Sequence, residues 1–301
     1  MTAADWQAGR LPFGAGRLVD TGTVRLWFHD AGGVGEPLFL LGGWTAGHFQ
    51  FDFVRPYLAR YRLLTWEPRG LGPSDRPDPA SHRYDLDVLS DDLRDLLREV
   101  GVPRVHLWAG GFASYHALRF AARHPGLVGA VVTYNDVWAG DPRMAYDRIW
   151  VVYRTIVEQF GTTGLGARML AGSFGVSDPP WFHDWETANI EATSHPETVE
   201  ALVGFGCLNA DVRDDLESIA APVLVLRGGR GWDGSDLADH DDPSLQLMRA
   251  RLAALEVATV PGAHPGYVAV QQPRRCAAIV EEFLGRHPFG RGAPSGGEEG
   301  E

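Results

Sequence analysis

Val105-His-Leu-Trp-Ala-Gly-Gly-Phe-Ala-Ser114 decides how the rest of this chain is read. A mostly apolar run from Val105 to Trp108 breaks at Gly110-Gly111 and passes into a helix predicted over Phe112 to His124, stopped by Pro125. Strand, sharp turn and helix together form a setting that holds one side chain exposed at the turn tip, with small residues on both sides so that the backbone can fold tightly. Ala109 and Ala113 are the small flanks here, and the tip is Gly111, which has no side chain. Sliding the register to bring Ser114 to the tip would pull the turn into the helix. Ser114 is therefore expected about one helical turn further on, as an ordinary helix residue.

Outward from this stretch, strand and helix alternate. Gly16–Asp20 and Thr23–His29 read as a two-strand meander, and Pro37–Leu41 and Tyr61–Trp66 as short, fully buried strands. A helix is predicted around Phe51 to Tyr61, and an amphipathic acidic one from Leu86 to Val100 with Leu89, Leu93, Leu96 and Leu97 on one face. Further strands are expected at Arg104–Trp108, Val128–Tyr134, Pro222–Leu226 and Val257–Val260, and further helices at Ser244–Leu255 and Pro273–Leu284. That rhythm implies a mostly parallel sheet covered on both faces. It breaks between Trp138 and Ser218, an aromatic, helical stretch without strand signals.

Composition narrows the function. The chain has 301 residues, 45% of them hydrophobic, enough for one large core. A net charge of −12 disfavours nucleic acid, whose phosphates it would repel. All 27 basic residues are arginine, so lysine Schiff-base and lysine general-base chemistry is excluded. No apolar run is long enough to cross a membrane, and Met1–Trp6 shows no secretory leader, so a cytoplasmic protein is expected. Cys207 and Cys276 lack metal-ligand spacing, and the acidic run Asp236, Asp239, His240, Asp241 and Asp242 reads as a solvated loop; neither a metal nor a cofactor is expected.

The order of these elements resembles the α/β-hydrolase fold over about residues 16–286. The segments that carry the likeness are Arg69-Gly-Leu-Gly-Pro-Ser-Asp75, His106–Pro125, Ala221–Gly228 and Val260-Pro-Gly-Ala-His-Pro265. The resemblance implies a mostly parallel eight-stranded sheet with helices on both faces. It also implies a core from residues 1–137 and 219–289 and a helical cap at 138–218, while the Gly-rich, acidic 290–301 is expected to be a disordered tail. The departures fall where the family does its chemistry: Gly42-Gly43 stands where relatives usually have His-Gly, Glu67 replaces an aspartate, and Gly111 takes the place of the nucleophile.

His264 lies within one position of the family's histidine when counted from Val260-Pro-Gly-Ala, whereas counting back from Pro273 points to Gly266. Asp233, after the strand that follows the insert, and Asp136, after the strand that precedes it, are alternative carboxylates to orient it. Gly43, Gly111 and Phe112 could bind an oxyanion through backbone N–H groups. Trp44, Trp108, Trp138, Trp181 and Trp185 would wall a pocket for a small apolar or aromatic metabolite, of the kind secondary metabolism yields, with His48 and His183 adding polar contacts. The expected chemistry is non-covalent acid/base work by a cyclase, lyase, isomerase, decarboxylase or cofactor-free oxygenase. The alternatives are a hydrolase of esters, lactones or epoxides that uses an activated water, and a non-catalytic pseudo-hydrolase that binds a small ligand.

Overall fold

Continuous apolar runs become the middle of a sheet here, because a strand covered on both faces needs no polar alternation. The computed structural model describes residues 3–134, 142–208, 211–231, 236 and 243–289. Its strands are β1 (Arg17–Asp20), β2 (Arg25–Asp30), β3 (Pro37–Leu41), β4 (Arg62–Glu67), β5 (Val105–Ala109), β6 (Val128–Thr133), β7 (Val223–Gly228) and β8 (Leu255–Val260). They form one eight-stranded sheet in the order β1-β2-β4-β3-β5-β6-β7-β8. β2 pairs antiparallel with β1 and β4, and every other pairing is parallel. β5 runs centrally between β3 and β6, with Leu107 opposite both Phe39 and Val131.

The two-residue period of the strands sorts their side chains into two apolar layers. Phe39, Leu107 and Val131 pack on one face with Leu93, Leu96, Leu118 and Phe120. Leu38, Leu40, Trp108 and Val132 pack on the other with Phe51, Val54, Val280 and Phe283. The covering helices are α1 (Ala3–Ala8), α2 (Leu86–Glu99) and α3 (Ala113–Arg123), then α4 (Pro142–Phe160), α5 (Leu165–Ser173), α6 (Phe182–Thr193) and α7 (Pro196–Leu208) between β6 and β7, and finally α8 (Pro243–Arg251), α9 (Val268–Gln271) and α10 (Pro273–Arg286). Asp85 caps α2 by accepting from the N–H groups of Asp87 and Val88.

The helix expected at 51–61 is instead two 3-10 turns, Gly47–Phe51 and Arg55–Tyr57. Pro56 has no N–H to continue a helix, and residues 47–54 are buried on every side rather than along one face. The short α9 was not anticipated. The tail expected at 290–301 lies outside the described residues.

Helices α4–α7 meet the sheet at the loops after β3 and β4. Thr193 donates to Thr45 O (3.0 Å), Gly72 N–H to Thr193 O (2.8 Å) and Thr198 to Gly70 O (2.7 Å). The loop after β4 is itself anchored by Arg69, which makes two hydrogen bonds to buried Asp92 of α2 at 2.6 and 2.7 Å. After β3 the chain turns so tightly that a Cβ on Gly42 would lie 1.8 Å from Gly47 O. Gly42→Ala should therefore lower stability by about 3 kcal/mol or more, since a backbone clash has no rotamer that can yield. The check is the urea unfolding midpoint, and a near-native midpoint would show that this loop relaxes freely.

Candidate functional site

The C-terminal ends of β3, β5 and β8 bring the candidate residues together. At the end of β5 the backbone turns through Gly110–Phe112 into α3, and Gly111 adopts φ +55°. An L-residue pays about 1–2 kcal/mol for that conformation, which glycine adopts readily. A Cβ at Gly111 would meet nothing within 4 Å, so the tip has both the backbone and the room for a side chain. Ser114 does not reach it: the residue is buried, and its hydroxyl points back to Ala109 O at 3.4 Å.

Beside the turn lies a residue that carried no motif signal, Gln50. Its Oε1 accepts the Gly43 N–H at 2.8 Å and its Nε2 donates to Gly266 O at 3.2 Å. A Cβ on Gly110 would come within 2.4 Å of Gln50 Oε1, so the amide lies directly over the turn. One buried side chain thus ties together the loops after β3, β5 and β8. This corrects the view of Gly43 as an open oxyanion donor, because its N–H already has a partner and an oxyanion would have to displace Gln50.

His264 follows β8. Its backbone N–H donates to Gln271 Oε1 (2.6 Å), and its Nδ1 accepts the Gly266 N–H at 3.2 Å. Burial pulls its pKa down to about 4, so the ring is neutral at physiological pH. With Nδ1 accepting, the single ring proton resides on Nε2. A histidine relaying protons to a nucleophile carries the opposite tautomer, with Nε2 as the acceptor. Asp136, Asp233 and Trp138 lie outside the described residues, as do the side chain of Cys207 and the acidic positions 239–242.

Glu186 of α6 was also not anticipated. Its carboxyl is fully buried; Thr45 donates to Oε1 at 2.5 Å and Tyr267 donates to the same oxygen at 3.3 Å. Burial drives the pKa up to about 7, against the hydrogen bonds of Thr45 and Tyr267, which lower it. Tyr267 in turn stands 5.8 Å from the His264 ring, between centroids. The cluster joins residues 45, 186 and 267, which no local pattern relates.

The tryptophans divide. Trp44 lines a cavity of ≈ 60 Å³ behind the turn, together with Phe112, Leu71 and His116. Trp108 belongs to the core instead, packed against Phe51 and Tyr134, because its place on β5 points it to the face covered by α10. Trp181 and Trp185 pack on Phe53 at 5.1 and 5.7 Å and fasten α6 to the sheet domain. His48 is not a pocket contact: it is buried, with Nδ1 2.5 Å from Glu67 Oε1 and Nε2 donating to Leu11 O. His183 binds Arg168 O away from the cavity.

A mostly parallel sheet, a sharp glycine turn after its central strand and a histidine after its last strand define a hydrolase-type α/β architecture. A family model described as alpha/beta hydrolase fold matches residues 36–164, the span from β3 through the turn into α4. The chain is 33% identical over 298 residues to a fluoroacetate dehalogenase of Burkholderia sp, covering 89% of this chain and 93% of that protein. It is 25% identical over 217 residues to an AB hydrolase superfamily protein of Bacillus subtilis, covering 68% of this chain and 77% of that one. The crystal structure of a hydrolase from Pseudomonas aeruginosa superposes with a TM-score of 0.69 at 22% identity, covering 90% of this chain and 99% of that one. The chain belongs to the α/β-hydrolase superfamily. Among the described residues no helix is long and apolar enough to cross a membrane.

The Glu186 cluster yields a pH prediction. Its folded pKa, about 7, exceeds the ordinary 4.5, so the folded state binds more protons than the unfolded state between those values. Stability should therefore fall as pH rises through this window and level off above it, by about 3 kcal/mol at most. Glu186→Gln keeps the shape without the charge. Urea unfolding should show it matching wild type near pH 5 and exceeding it at pH 8; equal stability at both pH values would refute the assignment.

Proposed function

We propose that this α/β-hydrolase is an enzyme that works without a covalent intermediate, by proton transfer and hydrogen bonding to a small apolar or aromatic molecule beneath helices α4–α7, which serve as its cap. The observation that carries this reading is Gly111, a turn tip with φ +55° and open space but no reactive atom. Among the described residues, neither Ser114 nor Cys276 replaces it. The Ser114 hydroxyl faces Ala109, and the Cys276 thiol, pushed up to about 12 by burial, is not a thiolate at neutral pH.

What remains is acid/base chemistry. Glu186, titrating near neutrality, can both give and take a proton, and Tyr267 stands between it and His264. His264 enters as a neutral imidazole offering Nε2–H. Such groups suit isomerisation, elimination, cyclisation, decarboxylation or cofactor-free oxygenation, in which an enolate- or phenolate-like anion needs donors. Any use of the Gly43 N–H requires Gln50 to move aside.

A second reading, hydrolysis by an activated water, is favoured by the names of the relatives, a dehalogenase and an AB hydrolase superfamily protein among them. The empty space off Gly111 could hold that water.

Both readings share one consequence. Wild-type protein treated with a fluorophosphonate should show no adduct by intact mass, and Gly111→Ser should fold at a cost of about 1–2 kcal/mol. A wild-type adduct, or burst kinetics with nitrophenyl esters, would overturn the non-covalent mechanism. Ester turnover that survives Ser114→Ala and is lost in His264→Ala would select the water-mediated reading.

A further inference from the structure

Residues 6–13 cross the seam between helix α6 and the loop after β3. Gln7, Ala8, Gly9 and Pro12 are exposed along this crossing, while Trp6 is buried. Trp6 joins the apolar cluster that holds Phe53 of the sheet domain, Trp181 and Trp185 of the cap, and Tyr267. The segment therefore touches both sides of the seam where Thr45 meets Glu186.

Among the described residues, four hydrogen bonds pin the segment to the sheet domain. Trp27 Nε1–H donates to Phe13 O (2.8 Å), His48 Nε2–H to Leu11 O (2.9 Å) and Arg55 to Gly9 O (3.3 Å), and the Leu11 N–H donates to Asp52 Oδ1 (3.4 Å). Toward the cap, Arg10 donates to Ala188 O of α6 at 3.2 Å, across 178 residues of sequence. The same guanidinium lies 3.8 Å from the centre of the Phe49 ring. Ala188 is on the helical turn that carries Glu186, and Phe49 is on the loop that carries Thr45. One side chain thus grips both elements whose approach brings Thr45 to the Glu186 carboxyl.

We propose that residues 6–13 form a strap that holds α6 on the loop after β3, with Arg10 as a positioning residue that keeps Glu186 against Thr45. Its grip is uneven. The strap is fastened to the sheet domain by several backbone hydrogen bonds and to α6 through Arg10 and Trp6, so losing the Arg10 contact frees α6 while the strap stays in place. The inference rests on the proposed function only for the chemical role of Glu186. Its test reads helix protection and a carboxyl hydrogen bond rather than turnover or adduct formation, so either can fail alone.

The experiment compares the full chain with Arg10→Met, which keeps an unbranched stem over Phe49 and removes the donors and the charge. By hydrogen–deuterium exchange, α6 peptides should exchange about tenfold faster, as expected for one lost hydrogen bond and one lost cation–π contact. Residues 9–13, and α3 on the other face of the sheet from Phe51, should keep their protection. The second readout is the infrared C=O band of the Glu186 carboxyl at pH 5, where it is protonated, identified by its loss in Glu186→Gln. That band should rise in frequency in Arg10→Met as the Thr45 hydroxyl withdraws. Unchanged α6 exchange, equal acceleration in α6 and α3, or an unmoved band would overturn the proposal. Should Arg10→Met fail to fold, Trp6→Leu, which thins the apolar half of the grip, must show the same selective loss of α6 protection and the same band shift.

Discussion

The primary amide of Gln50 sits where three chain reversals converge, and their mutual arrangement depends on it. Six parallel strands end at one edge of the sheet, so the loops after β3, β5 and β8 crowd together there with backbone groups that water cannot reach. Gln50 meets the Gly43 N–H and the Gly266 carbonyl with one planar group, over a turn that tolerates it because Gly110 has no Cβ. An apolar residue of that size would leave a donor and an acceptor buried and unpaired. The same contact that steadies the site also occupies an amide that an oxyanion would use, so the two compete for one N–H.

Desolvation governs the charges around this edge. It lowers His116 and His264 to about 4 and lifts Glu186 to about 7, so the three groups approach neutral forms near physiological pH by the same cause acting on opposite chemistries. Charges that survive burial are those with fixed partners, such as Arg69 with Asp92. His48 and Glu67 form another buried, hydrogen-bonded pair, the ring also bonding Leu11 O through Nε2. Gly47 makes that approach possible, since a Cβ there would lie 2.5 Å from Glu67 Oε1. The aspartate-to-glutamate change visible in the chain is thus part of a buried pair rather than a gap in a motif.

Much of the fold could be read along the chain because the signals are local. Apolar runs of four to six residues marked β3, β5, β6 and β7, the leucine spacing marked α2, and the small residues around Gly111 marked the turn. Errors arose where packing rather than pattern decides. The all-buried 47–54 segment could not show an amphipathic helix because every side of it is covered, and Trp108 looked like a pocket wall until the pleat assigned it to the core face. Gln50, Glu186 and Tyr267 carried no signal at all. Each is ordinary in its own neighbourhood and acquires a role only from residues far away in sequence.

The division follows from the range of the interactions involved. Hydrophobic periodicity, turn stereochemistry and the missing side chain at residue 111 are properties of short segments, so the amino-acid order alone specified an α/β-hydrolase with a glycine at the turn tip. Proton placement is different. It depends on burial and on partners that come together only when the sheet closes and α6 docks against the loops after β3 and β8. Only the folded chain could turn Thr45, Glu186 and Tyr267 into one hydrogen-bonded cluster and set the Gly266 N–H on Nδ1 of His264.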